Sequence, residues 1–200
     1  MLEKIILLFR NVIKNDYLSV ILLSIMPIIE IRGAVPVAVG MNLQPLAVLL
    51  LTSLSATIAV IPNMVFVKPL INKLKDSKIY MLVDNFEQSI VKKSKKIKSK
   101  TGIKQYVYLA LFVAVPIVFS GAYTGSTIAV FLGLNTYKSI ASIFIGNLVS
   151  SAIMLLLSLY FAEQIDVVVA VLSILFAISI ILYIINIIYT YFKVGKIFKQ

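Results

Sequence analysis

The sequence predicts an all-α polytopic membrane protein, and three observations carry that prediction. Of its 200 residues, 60% are apolar and only 14% are charged. Several uncharged runs exceed the roughly 18 residues at which an apolar stretch reads as a membrane span. Eleven of the nineteen basic residues crowd into residues 68–104, between two apolar runs. That crowding is the positive-inside pattern, so the net charge of +11 points to a membrane surface and not to nucleic acid. The chain has no Cys and no His, which removes disulfides, Cys- or His-ligated metals and His-based catalysis.

Taken in order, residues 1–16 pattern as an interfacial helix; a charge interrupts their apolar run and no small-residue cleavage site follows. Residues 46–67, 139–162 and 167–192 are uncharged runs of 22, 24 and 26 residues. At about 1.5 Å per residue each can cross a hydrocarbon core about 30 Å thick. Residues 105–137 are uncharged for 33 residues, too long for one span and too short for two. Pro116, Gly121 and Gly125 interrupt that run, as Pro27, Gly33 and Pro36 interrupt residues 17–45. The expected architecture is therefore two re-entrant hairpins, 17–45 and 105–137, each followed by a transmembrane helix, with a C-terminal transmembrane helix after them. One long kinked helix in each place is the alternative.

Charge sets the topology. The basic segment 68–104 and the tail 193–200 are placed in the cytoplasm of a multi-pass protein of the cell membrane. The first hairpin then opens outward and the second inward, which makes the two halves inverted repeats, a recurrent transporter design. It also leaves residues 1–16 on the outer face. "PIIEIRGAVPVAVGMN" and "PIVFSGAYTGSTIAVFLGLN" share Pro-Ile, Gly-Ala and a closing Gly-x-Asn once an insertion is allowed. Within 68–104, apolar residues near helical spacing suit an amphipathic surface helix, with Lys92 to Lys100 against anionic headgroups; a solvated linker is the other reading.

Glu30 and Arg32 are the only charges between Tyr17 and Val67. A charge at membrane depth costs several kcal/mol, so it usually lines a pathway or has a partner. On a helix, i and i+2 point about 200° apart. In an extended stretch they share a face. "EIRGAVP" is therefore expected to be an unwound hairpin tip, with Arg32 suited to a phosphate or carboxylate and Glu30 to a coupling proton. A structural salt bridge is the alternative. Gly33 completes that candidate site on the first hairpin. Ser120, Gly121, Tyr123, Thr124 and Gly125 supply hydroxyls and close backbone approach on the second, unless their small side chains only pack helices. Asn147, a lone mid-span amide, is included, although such groups more often bond a neighbouring helix. No enzyme is expected: a Ser nucleophile finds no Lys or Asp at membrane depth, and Asp16, Asp76, Asp84 and Asp166 lie outside the spans. No GxxxxGK[ST] loop and no cofactor site are seen.

"PIIEIRGAVPVAVGMNL" with "GAYTGSTIAVFLGL" resembles the small multidrug export protein family, over about residues 17–162. More distantly the layout is similar to the DedA (VTT-domain) superfamily. That likeness implies lipid translocation, including recycling of polyprenyl-phosphate carriers, with Glu30 at the acidic position of the first hairpin and Gly146 and Asn147 at a later Gly–Asn pair. The superfamily's second-hairpin Pro-Gly-x-Arg is missing here, and Arg32 offers a charge from the other hairpin. The expected function is transport of an anionic or amphipathic substrate, a lipid-phosphate carrier first, with small-molecule export and a non-transporting scaffold as alternatives. Homo-oligomerisation is left open.

Overall fold

A computed structural model describes residues 13–27, 29–75, 88, 94, 95, 97–116, 120–161, 174 and 181. These form six helices and, among the described residues, no strand. They are α1 (Asp16–Ile25), α2 (Glu30–Gly40), α3 (Pro45–Lys75), α4 (Ile103–Ala114), α5 (Ala122–Phe131) and α6 (Thr136–Tyr160). The order short, short, long occurs twice. The predicted helix at 1–16 falls almost wholly outside the described residues, and the predicted span at 167–192 and the tail 193–200 lie outside them apart from two isolated positions.

Two prolines set the interruptions. The residue before a proline is pushed out of the α region. Met26 before Pro27 is extended (φ −67°, ψ 123°) and ends α1; Val115 before Pro116 is extended (φ −76°, ψ 117°) and ends α4. Each long segment is thus two separate short helices, not one kinked helix. The helix after each interruption closes with the same cap. Leu43 N–H bonds Ala38 C=O and Asn42 N–H bonds Val39 C=O; Leu134 bonds Ala129 and Gly133 bonds Val130 in the same way. Both are Schellman motifs with the C′ residue left-handed: Asn42 at φ 58° and Gly133 at φ 65°. The helix ends therefore align Asn42 with Gly133, not Gly40 with Gly133 as the sequence motifs suggested.

Residues 30–40 are helical, which corrects the expectation of an unwound "EIRGAVP". Gly33 and Pro36 sit inside α2, where the cost of Pro36 is the N–H that would bond the Arg32 carbonyl. Gly125 likewise lies inside α5. α3 also runs on past 67 to Lys75, through Pro62 and Pro69.

α3 over Pro45–Val67 (23 residues) and α6 (25 residues) are each long and apolar enough to cross a membrane. Their burial is inside out relative to a water-soluble protein. Leu46, Leu50, Leu54, Ile58, Ile61 and Val65 on α3 are exposed, Leu46 at 63% and Ile58 at 61%, while Thr52 and Ser53 are fully buried. On α6, Ile145, Val149 and Leu156 are exposed while Asn147, Ser150 and Ser151 are buried. Apolar outside and small polar inside is the pattern of helices solvated by lipid. Several buried hydroxyls bond within their own helices, Thr52 on Val48 C=O at 2.8 Å and Thr57 on Ser53 C=O at 2.7 Å. Two cross-links join the long helices: Thr52 Oγ1 to Ser151 Oγ at 2.8 Å, and Asn147 Nδ2 to Thr57 Oγ1 at 2.9 Å. As the α3 numbers rise the α6 numbers fall, so α3 and α6 are antiparallel.

α4 and α6 are parallel. Near their starts, Asn135 N–H bonds Tyr106 Oη at 3.2 Å. Further along, a Cβ on Gly146 would meet Ala110 O at 2.6 Å and Val113 Cβ at 2.8 Å. After α4 and α5 the chain is therefore back at the level where α4 began. The turn between them lies beside the middle of α6. Two clusters hold most of the apolar core among the described residues, one with Val35, Ala38, Val48 and Met154, the other with Val60, Leu109, Ile128 and Ile143.

Candidate functional site

The two helix interruptions meet. α5 begins at Gly121, an N-cap with no side chain to satisfy its first-turn N–H groups. The carboxylate that fills this place comes from the other half: Glu30 Oε1 lies 3.5 Å from Tyr123 N. An acidic group there also complements the positive end of the helix dipole. A Cβ on Gly121 would overlap the Glu30 carboxylate, so this close approach needs glycine. Gly121 is thus spacing for a side chain 91 positions away in the sequence.

Glu30 and Arg32 do pair, with Arg32 Nη1 3.3 Å from Glu30 Oε2. A regular helix forbids this at i and i+2. Glu30 is the first residue of α2 and has φ 48°, so it is turned relative to the residues that follow. Non-glycine residues at positive φ cost about 1–3 kcal/mol and persist where their surroundings enforce them. The pair is thus the salt bridge that the sequence left as the alternative, formed on a helical backbone and not on the extended one expected.

From Arg32 the contacts continue across the interface. Nη2 donates to Ser120 Oγ at 3.3 Å, and Ser120 Oγ donates to Val115 C=O at 2.7 Å. The Tyr123 hydroxyl donates to Ile25 C=O, the end of α1, at 2.5 Å. Arg32 Nε is buried with no hydrogen-bond partner. Glu30 is 7% exposed, and the Arg32 side chain 18%. The result is a largely buried ion pair, with one guanidinium donor unused, between two interrupted helices.

Of the nine expected site residues, Glu30, Arg32, Ser120, Gly121 and Tyr123 come together. Gly33 does not join them; it faces Ile29 within its own turn. Gly125 lets α4 approach α5, since a Cβ there would meet Val113 Cγ2 at 2.6 Å. Thr124 is half-buried on α5. Asn147 bonds Thr57 between the long helices, as a packing amide does. Asn63 was missed in the sequence. Its amide reaches Tyr123 C=O at 3.2 Å, Ser126 Oγ at 2.6 Å and Thr127 Oγ1 at 3.1 Å, tying α3 to the first turn of α5. Its signal was the one that drew attention to Asn147: a lone amide in an apolar span. Among the described residues no group of three or more His, Cys, Asp or Glu side chains is placed to hold a metal.

The model of one protein family, described as "Putative small multi-drug export protein", matches residues 30–153. That range begins at Glu30 and covers more than half of the chain. No curated protein matches, and no solved structure does. The family and the two long apolar helices fit a membrane location. The chain belongs to this small multi-drug export family.

Proposed function

From that membership, we propose that the protein is a membrane transporter that exports small amphipathic substrates past the Glu30–Arg32 pair, with no chemical step on them. The observation that carries this reading is the buried pair itself. Two charges at membrane depth are costly, and they are held where two interrupted helices meet, the usual place of a transporter site. α1, α2, α4 and α5 have 10–12 residues, or about 15–18 Å, roughly half a hydrocarbon core. They are read as two re-entrant hairpins, inverted in the cytoplasmic membrane, with residues 68–104 and the C-terminus inside. Glu30 is given the coupling proton: protonating it would release Arg32 and the α5 amides for an anionic group on the substrate.

The distant likeness to the DedA superfamily supports a narrower version, in which the substrate is a lipid-phosphate carrier. The unused Arg32 Nε suits a phosphate's acceptor oxygens. One observation favours the scaffold reading instead: the charges already satisfy one another in part.

The test is reconstitution in proteoliposomes under a pH gradient, with efflux of an anionic amphipathic dye and flipping of a polyprenyl phosphate measured in parallel. Glu30→Gln and Arg32→Ala are each expected to reduce transport to the protein-free level. Both variants must keep the wild-type elution profile. Dye efflux alone would favour the exporter, and phosphate flipping alone the narrower version. Unchanged transport in both variants would remove the site.

A further inference from the structure

A second feature lies outside the charge pair. Between α4 and α6 runs an open groove of about 790 Å³, within the roughly 300–1,000 Å³ of pockets that hold small ligands. Ile103, Val107 and Leu111 form one wall and Ile145 and Val149 the other, all of them exposed. The floor is small residues, where Gly146 brings the two helices into contact. The groove follows α4 for its 12 residues, about 18 Å, close to the depth of one leaflet's acyl chains.

Its mouth is basic. Lys138 lines it, in the first turn of α6. Lys104 is the second residue of α4, and Lys100 lies over the Tyr108 ring at 5.3 Å. Lys138 lies over the Tyr106 ring at 5.9 Å. Both helices present their N-terminal, positive ends here, because they run in parallel. No Asp or Glu occurs anywhere in residues 88–162. An apolar slot one leaflet deep, closed at one end by positive charge, is complementary to one molecule in particular.

We infer that this groove binds an anionic phospholipid drawn from the surrounding leaflet, with one acyl chain along α4 and α6 and the phosphate at Lys138. The head is held by Lys138 and the uncapped N-terminus of α4, and the chain replaces lipid contacts that the groove walls would otherwise make loosely. The site is separate from Glu30 and Arg32, so it stands whether or not the transport reading does.

The test uses the full chain in nanodiscs containing equal phosphatidylglycerol and phosphatidylcholine, with retained lipid counted by native mass spectrometry. The wild type is expected to hold one phosphatidylglycerol in clear preference. Lys138→Gln is expected to lower that preference about fivefold, the effect of one lysine at an anionic surface. Ala141→Phe, which fills the groove from an exposed position, should abolish the retained lipid while leaving thermal unfolding in phosphatidylcholine unchanged. Should that variant fail to fold, Ile145→Trp on the exposed wall tests the same space. Equal retention of both lipids would overturn the proposal, as would a retained phosphatidylglycerol that ignores both groove variants. A lipid-independent dimer that Ala141→Phe dissociates would assign the groove to a second copy of the chain and overturn it too.

Discussion

The two halves, α1–α2–α3 and α4–α5–α6, share an order of elements, a proline-set interruption and a Schellman-capped second helix, yet they contribute opposite things to their meeting point. The first half brings charge: Glu30 and Arg32 sit at the start of α2. The second brings room and donors: Gly121 has no side chain, Tyr123 offers its N–H and Ser120 its hydroxyl. Counting from the shared caps, Glu30 and Gly121 hold corresponding positions. The same backbone site is thus filled in one half and emptied in the other, and the filled one reaches into the empty one. Similar local structure has been put to complementary use.

The largest expected effect comes from unbalancing the charged half. Arg32→Ala leaves the Glu30 carboxylate buried without its partner, which should cost about 3–5 kcal/mol of stability. The double variant Glu30→Gln, Arg32→Gln should cost less than either single change, because no charge is then left alone. Reversible unfolding in mixed micelles checks both. An additive double variant would mean that the two groups are independently solvated.

Filling the empty half comes next. Gly121→Ala forces a methyl into the Glu30 carboxylate and should cost about 1–3 kcal/mol as an overpacked site. In a Glu30→Ala background the same change should cost much less, since the obstacle has gone. A Gly121→Ala penalty that is the same in both backgrounds would show that the glycine serves the backbone alone.

The smallest effects test the likeness of the halves. Gly133→Ala places a Cβ in the left-handed region and should cost about 1 kcal/mol. Gly133→Asn and Asn42→Gly should each be nearly neutral, because each copies what the other half uses at its own C′ position. A large cost for Gly133→Asn would show that the two caps differ in their surroundings despite their equal hydrogen bonds.

Much of the fold was legible in the sequence because its causes are local. Pro27 and Pro116 act on the residue before them through steric contact, so the ends of α1 and α4 could be placed without tertiary knowledge. The glycines were less legible. Gly33, Gly121, Gly125 and Gly146 look alike as letters, but one faces its own turn, one a carboxylate and two a neighbouring helix. The helical state of "EIRGAVP" was misread because Gly and Pro disfavour helix in isolation, whereas burial of Ile31, Ala34, Val35 and Ala38 in the core outweighs that preference. Asn63 went unnoticed because nothing in its neighbours tells which amide has acceptors to reach.

By itself the sequence determined an all-helical, strongly apolar chain with two proline-interrupted segments and one pair of charges inside an apolar stretch. Composition and nearest-neighbour sterics suffice for that. Only the tertiary structure decided that the pair meets through a turned Glu30, that Gly121 makes room for it, and that Arg32 reaches Ser120 across 88 positions of chain. Those contacts depend on α3 and α6 lying antiparallel so that the two interruptions face each other. No residue carries that arrangement alone.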